Sequence, residues 1–289
     1  MQKIIPCLWF DRQAEEAITF YTSIFSNSKV GSIARYGDHM PLPKDTVMTV
    51  TFQLAGLEFM AINGGPEFTF TPAISFFVYC HSRAELDNLW DQLVQGGQVL
   101  MELGEYPFGE RFGWLNDRYG VSWQLMLSNA PQQIVPCLMF VGDQAGRARE
   151  VIQLYNSLFP ESSIDFMNEY PAEMGEAPGS LMHARFNLAG QPFIAMDSGL
   201  EHAFTFTSAV SFYVNCADQA EVDHFWYKLS EGGATEMCGW LKDRFGISWQ
   251  IVPLVLGELM SDPDTDRVAR VTRAMLQMTR LDIAGLRSA

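Results

Sequence analysis

A run of twelve residues occurs almost unchanged near the end of each half of the chain. Gly113 to Gln124 reads GWLNDRYGVSWQ, and Gly239 to Gln250 reads GWLKDRFGISWQ. Only three positions differ, and each change keeps the size or the polarity of the side chain. Chance does not produce such a match in 289 residues. The chain is therefore an internal duplication, and its fold must offer the same environment twice.

The repeat extends over both halves of the chain. IIPCLWF at Ile4 to Phe10 matches IVPCLMF at Ile134 to Phe140, and FTFTPAISFFVYC at Phe68 to Cys80 matches FTFTSAVSFYVNC at Phe204 to Cys216. A period of roughly 130 residues has the size of a small domain and is too long for a solenoid repeat. We therefore predict two tandem domains and a helical extension, at residues 1–129, 132–253 and 254–289.

Within each copy the apolar residues alternate between the periods of strands and helices. Short apolar runs bounded by polar residues indicate buried strands, and Ala14 to Phe25 has apolar residues at helical spacing. Ala55-Gly56 signals a hairpin, and Gly96-Gly97 ends a second helix. The pattern predicts strands in the first copy at 4–10, 29–36, 46–54, 57–62, 74–80, 98–102, 113–115 and 121–127, and helices at 14–25 and 83–93. The chain thus has the α+β class, with two βαβββ units in each half.

Two segments have no counterpart in the other copy. Glu102 to Phe112 occurs only in the first copy, and the C-terminal tail occurs only after the second. The tail is predicted to be helical from Thr265 to Leu281, beginning near Asp262 or Asp264. Its packing stripe consists of Val268, Val271, Met275, Leu276 and Met278. We expect this helix to dock on a surface that the first domain leaves open.

Composition excludes several classes of function. A net charge of −15 without a cluster of Lys or Arg makes nucleic-acid binding unfavourable, and no apolar run is long enough to span a bilayer. The N-terminus is too mixed for a signal peptide. Cys7 matches Cys137 and Cys80 matches Cys216 within apolar runs, which indicates buried, reduced thiols in a cytoplasmic protein. Cys238 is unmatched, and a reactive thiol there remains an alternative.

The separated motifs together resemble a known family. Paired βαβββ units, the P-C-L-x-F opening, Asn63-Gly64-Gly65-Pro66, FTFT-x-A-x-SF and DRYGVSWQ are similar to the PhnB-like branch of the glyoxalase/bleomycin-resistance superfamily, the vicinal oxygen chelate fold. The resemblance covers both halves and the tail, and it implies two glyoxalase-like domains. Members of the branch often carry the name 3-demethylubiquinone-9 3-methyltransferase. The chain has no G-x-G-x-G stretch after its first strand of the kind that common methyltransferases use for their cofactor.

In enzymes of this superfamily, His, Glu or Gln side chains bind a divalent ion in the cleft, and the resemblance assigns each ligand a position here. The first-strand ligand falls at Ile5 or Pro6 and at Val135 or Pro136. The fourth-strand ligand falls in Met60 to Ile62 and in Ile194 to Met196. The remaining two positions are Ser75 and Gln124 in the first copy, and Ser211 and Gln250 in the second. One amide and one hydroxyl per cleft do not make a strong site, so we expect neither a metal nor another cofactor.

The five histidines agree with this expectation because none of them is duplicated. A duplicated metal centre would show duplicated histidines, and we therefore interpret them as solvated or structural residues. They are His39, His81, His183, His202 and His224.

The twelve-residue run itself carries the best candidates for a ligand site. Trp123 and Gln124 are neighbours on one strand, so only one of them can face a given cleft. Asp117 and Gly120 fit a tight turn, in which Asp caps amides and Gly adopts positive φ; Arg118 is either an exposed turn residue or an anion-facing group. The aromatic residues either pack the core or line a cleft. The candidate ligand-binding residues are Gln124, Gln250, Ser75, Ser211, Trp114 and Trp240.

Three functions of different classes remain open at this point. The sequence favours a metal-independent protein that binds a small aromatic or quinone-like molecule. The alternatives are an enzyme of the lyase or dioxygenase type and a scaffold in which duplication replaces homodimerisation. The expected partners are a small-molecule ligand and either the second domain of the same chain or a second copy, with neither nucleic acid nor a membrane.

Overall fold

The computed structural model describes residues 1–37 and 42–289, and His39 lies outside the described residues. The chain divides into two compact units. The smaller unit comprises Met1–Pro6 and Ser211–Ala289, and the larger comprises Cys7–Val210. No helix among the described residues is long and apolar enough to cross a membrane.

Among the described residues, each quarter of the repeated sequence contains one α-helix and four strands, as the pattern predicts. The first quarter contains β1 (Ile4–Phe10), α1 (Ala14–Ile24), β2 (Lys29–Arg35), β3 (Val47–Leu54) and β4 (Leu57–Asn63). The second contains β5 (Ile74–Cys80), α2 (Arg83–Leu93), β6 (Gln98–Tyr106), β7 (Gly109–Asn116) and β8 (Ser122–Leu127). The third contains β9 (Gln133–Phe140), α3 (Ala148–Leu158), β10 (Ser163–Glu169), β11 (Leu181–Leu188) and β12 (Gln191–Asp197). The fourth contains β13 (Val210–Cys216), α4 (Gln219–Ser230), β14 (Ala234–Thr235), β15 (Trp240–Lys242) and β16 (Ser248–Pro253).

The α+β class with paired βαβββ units is confirmed, and most predicted bounds agree within a few residues. The main difference concerns β6 and β7, which run to Tyr106 and begin at Gly109. The segment found only in the first copy therefore extends this hairpin. Its Gly and Glu residues hide the strand pattern, because they lack the β-branched and apolar side chains that mark strands.

The larger unit contains an eight-stranded sheet built from both repeats. Its strand order is β10-β11-β12-β9-β5-β8-β7-β6. At its centre β5 of the first repeat pairs antiparallel with β9 of the second, with Ser75 opposite Cys137 and Phe77 opposite Val135. The second half of one repeat and the first half of the other thus form one continuous surface.

Within the part of the chain that the structure describes, α2 packs on β5, β7 and β8, and α3 packs on β9 to β12. On β8 the fully buried Trp123 and Leu125 point to the helices, while Gln124 and Met126 point the other way. Gly113 lies against α2 so closely that a Cβ atom would approach the Trp90 ring to 2.4 Å. We call the opposite side, on which Gln124 and Met126 lie, the helix-free face.

The remaining strands divide between the two units. In the larger unit β1 pairs parallel with β4, followed by β3 and β2. In the smaller unit the order is β14-β15-β16-β13, and the Asn215 amide on β13 donates to the carbonyl of Lys3 at 3.0 Å.

The C-terminal tail belongs to the smaller unit and contains three helices, α5 (Val255–Met260), α6 (Thr265–Leu276) and α7 (Ile283–Ser288). The single helix predicted from 265 to 281 is thus too long. Asp264 is the N-cap, because its carboxylate accepts from the amides of Asp266 and Arg267. Val271, Met275 and Met278 pack as expected, but Leu276 is 55% exposed. The tail packs on Val252 and Tyr213 of the second repeat.

Candidate functional site

The alternation between Trp123 and Gln124 is confirmed. Trp123 is fully buried on the helix side, where its ring contacts Phe76 at 5.4 Å between centroids. Gln124 lies on the helix-free face, opposite Trp114 on β7 and beside Phe77 on β5. Of these two neighbours in sequence, only the glutamine can contribute to a site on that face.

Gln124 and Ser75 are in contact in the larger unit. Gln124 Nε2 donates to Ser75 Oγ at 2.8 Å and lies 3.8 Å from Cys137 Sγ. All three side chains are almost fully buried. Gln124 Oε1 accepts no hydrogen bond from any residue between 1 and 37 or between 42 and 289. The amide nitrogen therefore has two partners, Ser75 and Cys137, whereas its oxygen has none among the described residues.

Cys137 adds a neutral thiol to this pair. Burial raises the pKa of the Cys137 thiol to about 12, although hydrogen bonds with Ser75 and Gln124 act in the opposite direction. The thiolate is therefore not populated at neutral pH, and the thiol is a poor nucleophile and a poor metal ligand. The polar groups at this point of the face are thus an amide, a hydroxyl and a neutral thiol.

Aromatic and methionine side chains surround the Gln124–Ser75 pair. The cluster on the helix-free face has a buried centre and a partly buried rim. The centre consists of Phe77, Phe112, Val135, Cys137 and Ile194. The rim consists of Tyr79, Met101, Tyr106, Trp114, Met126 and Met196. Ile194 and Val135, which the family resemblance places at metal-ligand positions, are apolar members of this cluster.

The smaller unit repeats the pair with the same geometry. Gln250 Nε2 donates to Ser211 Oγ at 3.0 Å, and both side chains are buried. Gln250 lies beside Tyr213 on β13 and opposite Trp240 on β15. The structure thus brings together each candidate glutamine with its candidate serine, and it places each candidate tryptophan on the adjacent strand.

Trp114 and Trp240 are half-buried rather than part of the core. Trp114 Nε1 donates to Ser122 Oγ at 2.9 Å, so its polar atom is satisfied within the hairpin. The indole ring remains in the rim of the aromatic cluster. A half-buried indole at the rim both packs on the cluster and lines its edge, so the position of Trp114 agrees with the packing and with the cleft-lining interpretation.

Asp117 has a larger structural role than the sequence indicated. Its Oδ1 accepts from the amides of Tyr119 and Val121, and Gly120 has φ of +90°, as the turn prediction required. Its Oδ2 also accepts from Tyr21 Oη at 2.6 Å and from Trp123 Nε1 at 2.8 Å. Burial raises the pKa of the Asp117 carboxyl above its ordinary value, and the four hydrogen bonds offset only part of this rise. The conserved spacing within the repeat therefore serves a buried network on the helix side.

The other residues considered from sequence lie away from the Gln124–Ser75 pair. Arg118 is exposed, with its guanidinium 4.3 Å from the centre of the Phe20 ring, which supports the exposed-turn alternative. Cys238 is half-buried, and burial raises the pKa of its thiol, which argues against a reactive thiol. The described part of the chain contains no group of three His, Cys, Asp or Glu side chains with metal-binding geometry.

Sequence reasoning missed the residues that cover and flank the site. Tyr106, Phe108 and Phe112 form an aromatic stack on the β6–β7 hairpin. Arg185 lies on the helix-free face opposite Ile194, where it donates to Gln133 Oε1 at 3.2 Å. The aromatic run YPF in the unmatched segment was the one available signal for the hairpin. No sequence signal placed Arg185 on this face, because it comes from the other repeat.

Comparison with known proteins identifies the family. The family model described as 3-demethylubiquinone-9 3-methyltransferase matches residues 2–126 and again 132–252. The chain therefore belongs to this family and contains its domain twice. A search of curated proteins found no match.

Solved structures show similarity at two levels. A protein from Bacillus cereus, provisionally named a 3-demethylubiquinone-9 3-methyltransferase, PhnB protein, is 50% identical, with 44% of this chain and 100% of that chain covered and a TM-score of 0.43. Glyoxalase I from Zea mays is 12% identical over 86% of this chain and 90% of that chain, with a TM-score of 0.57. A provisionally named dioxygenase from Bacillus subtilis is 11% identical over 96% and 90%, with a TM-score of 0.52. The last two similarities show the glyoxalase-like fold.

Proposed function

We propose that this member of the 3-demethylubiquinone-9 3-methyltransferase family is a metal-independent protein that binds a small aromatic or quinone-like molecule on the helix-free face. The observation that carries the proposal is the buried Gln124–Ser75 pair within a cluster of aromatic and methionine side chains. Ligand sites combine such an apolar lining with a few fixed polar groups. The smaller unit repeats these two polar groups in the Gln250–Ser211 pair.

The free acceptor of Gln124 indicates the kind of polar group that the ligand carries. Ser75 takes up an amide hydrogen, whereas Oε1 has no partner among the described residues. A ligand hydroxyl that donates to Oε1 would complete the hydrogen bonding of the amide. A phenol or a hydroquinone combines such a hydroxyl with a flat apolar ring, and rings pack well against Phe77 and Trp114.

The donor set does not fit the divalent ion of related glyoxalase-like enzymes. Such an ion requires converging imidazoles or carboxylates with open positions, whereas the polar groups here are an amide, a hydroxyl and a neutral thiol. We therefore assign no step to a metal. The methyltransferase in the family name likewise has no cofactor motif in this sequence, and we keep both activities as alternatives to be tested.

The first experiment is a thermal-unfolding screen of the purified chain with naphthol and naphthoquinone as probes. A ligand at a hundredfold excess over its Kd stabilises the folded state by about 2.7 kcal/mol, which raises the midpoint by a few degrees. Replacing Gln124 by Leu removes the polar anchor and should weaken naphthol binding by about tenfold. Gln95→Leu, at an exposed residue in the turn that follows α2, is the matched control.

Two results would refute the proposal. One is the absence of any midpoint shift with both probes, and the other is unchanged naphthol affinity in Gln124→Leu. Elemental analysis of the purified protein tests the enzymatic alternative separately. One equivalent of a transition metal per chain would favour the metal-dependent activity over simple binding.

A further inference from the structure

The two Gln–Ser pairs have equivalent surroundings in their own sheets. In the larger unit the residues beside Gln124 are Phe77 and Met126, and in the smaller unit those beside Gln250 are Tyr213 and Val252. These positions match one to one in the aligned repeats. The two pairs therefore share their neighbours on these strands, and the segments that cover them can be compared directly.

The first pair is covered by strands. The β6–β7 hairpin has nine and eight residues in its two strands, and it places Phe112 6.0 Å from the Phe77 ring. Tyr106 and Phe108 stack nearly parallel, with centroids 5.4 Å apart and an interplanar angle of 20°. Phe108 is 58% exposed. The Phe108 ring therefore presents an exposed aromatic surface beside Tyr106.

The second pair is covered by the tail. Here β14 and β15 contain only two and three residues, so no long hairpin is present. The space is taken by Leu281 and Leu286, which are fully buried in a cluster with Val252 and Tyr213. Tyr213 and Val252 correspond to Phe77 and Met126, so the tail covers the same positions as the hairpin does in the first repeat.

Backbone and side-chain bonds fix the tail in this position. The amides of Cys238 and Gly239 donate to the carbonyls of Met278 and Thr279, both at 2.7 Å. Gln219 on α4 donates to the Leu281 carbonyl and accepts from the Ile283 amide. Arg280 forms an ion pair with Asp223 on the same helix. The segment from Met278 to Ile283 is thus bound along its length.

We infer that the chain binds one ligand, at the first pair, and that residues 277–289 occupy the equivalent position in the second repeat as a permanent internal cover. The inference rests on the proposed function. It also specifies the ligand class, a planar aromatic molecule with a hydroxyl group, which stacks on Phe108 and Tyr106 while its hydroxyl donates to Gln124. Phe108 is then a specificity-determining residue that has no counterpart in the second repeat.

Calorimetric titration of the full chain with naphthol tests this asymmetry. The expected stoichiometry is one. Gln124→Leu should weaken binding by about tenfold, and Phe108→Ala by roughly three- to tenfold through loss of one stacking partner. Gln250→Leu should bind naphthol as the wild type does. A stoichiometry of two, or an equal loss in Gln124→Leu and Gln250→Leu, would overturn the inference.

The cover itself can be tested without any ligand. Met126→Cys and Val252→Cys place thiols at equivalent positions, and their reaction with N-ethylmaleimide is compared with that of the wild type. We expect the cysteine of Val252→Cys to react at least about tenfold more slowly than that of Met126→Cys. The reason is that N-ethylmaleimide reaches residue 252 only when the tail opens. Equal rates would contradict the cover even if naphthol binds nowhere, so the two proposals fail separately.

Loosening the tail should selectively expose the second position. Arg280→Ala removes the ion pair with Asp223 but leaves the leucines in place, so the fold is retained. In the Val252→Cys background this change should accelerate labelling, whereas in the Met126→Cys background the rate should stay the same. Acceleration in both backgrounds would show general destabilisation and would refute a local cover.

Discussion

The two repeats share their Gln–Ser pairs but cover them in different ways. The first uses an extended hairpin of its own strands, with an exposed aromatic tip. The second uses helices that follow the repeat and bury their leucines against it. The common parts are those that the fold requires twice, whereas the covers were free to diverge after duplication. Function is therefore to be sought in the difference between the covers.

The buried aspartate network that both repeats share should tolerate substitution least. Replacing its aspartate should therefore cause the largest loss of stability. Asp117→Ala leaves Tyr21 Oη, Trp123 Nε1 and two amides without their acceptor, which should lower the free energy of unfolding by about 4 kcal/mol. Asp243, which accepts from the Trp249 indole and two turn amides, should show a comparable loss when replaced by Ala.

Urea unfolding followed by tryptophan fluorescence measures both losses. Tyr21→Phe, which removes only one of the four donors, serves as the graded control and should cost about 1 kcal/mol. If Asp117→Ala cost less than Tyr21→Phe, the network would not be the reason for the repeated DR-x-G-x-SW pattern.

The cover of the second repeat should contribute clearly to stability. Leu281 is fully buried in the tail cluster, so Leu281→Ala should cost about 3 kcal/mol by creating a cavity. Leu276→Ala, on the same segment but 55% exposed, should cost about 0.5 kcal/mol or less. Similar losses for both variants, measured by urea unfolding, would show that the tail does not pack as a fixed cover.

The tip of the first cover should behave in the opposite way. Phe108 is largely exposed, so Phe108→Ala should lower the free energy of unfolding by only about 0.5 kcal/mol. Its effect on naphthol affinity should be larger than its effect on stability. A loss of stability as large as that of Leu281→Ala would mean that Phe108 packs the fold rather than contacting a ligand.

Local sequence patterns were sufficient to predict most elements of the fold. Strand Ile74–Cys80 and helix Arg83–Leu93 were predicted with their observed bounds. The reason is that the spacing of apolar residues and the capping residues are local signals, which depend on only a few neighbouring residues. The pairing of β5 with β9 was not predictable in this way. Each strand has a near copy in the other repeat, so the same local pattern fits pairing within a repeat and between repeats.

The candidate site shows the same limit. Gln124 and Ser75 were selected through the family resemblance, and their contact was then found in the structure. Both unmatched segments were identified from the sequence, but their positions over the two Gln–Ser pairs were not predicted. Their placement depends on contacts between distant parts of the chain, such as Leu281 with Val252, and no periodicity within the tail records which surface it meets.

A smaller difference between the repeats concerns two equivalent glutamates at the start of α2 and α4. Glu85 accepts from the His81 amide and from the neutral Gln132 amide group, at 2.6 and 2.8 Å. Glu221 accepts from the Ala217 amide and from the charged Lys3 ammonium, both at 2.6 Å. The repeats thus place a neutral donor and a cation at the same point.

The charged partner should make the Glu221 contact sensitive to acid. Burial raises the pKa of Glu221, but the bonds with Lys3 and Ala217 lower it by more, so the net pKa lies below its ordinary value of 4.5. A lowered carboxyl pKa stabilises the fold above the unfolded-state value, and this contribution is lost as the pH falls through the folded-state value. Glu221→Gln should therefore cost about 0.5 kcal/mol at pH 7, since the pair is partly exposed. In urea unfolding, the loss of stability in Glu221→Gln should disappear as the pH falls through the folded-state pKa of Glu221. If the loss persisted in acid, the hydrogen bonds of Glu221 would cause it rather than the charge of Lys3.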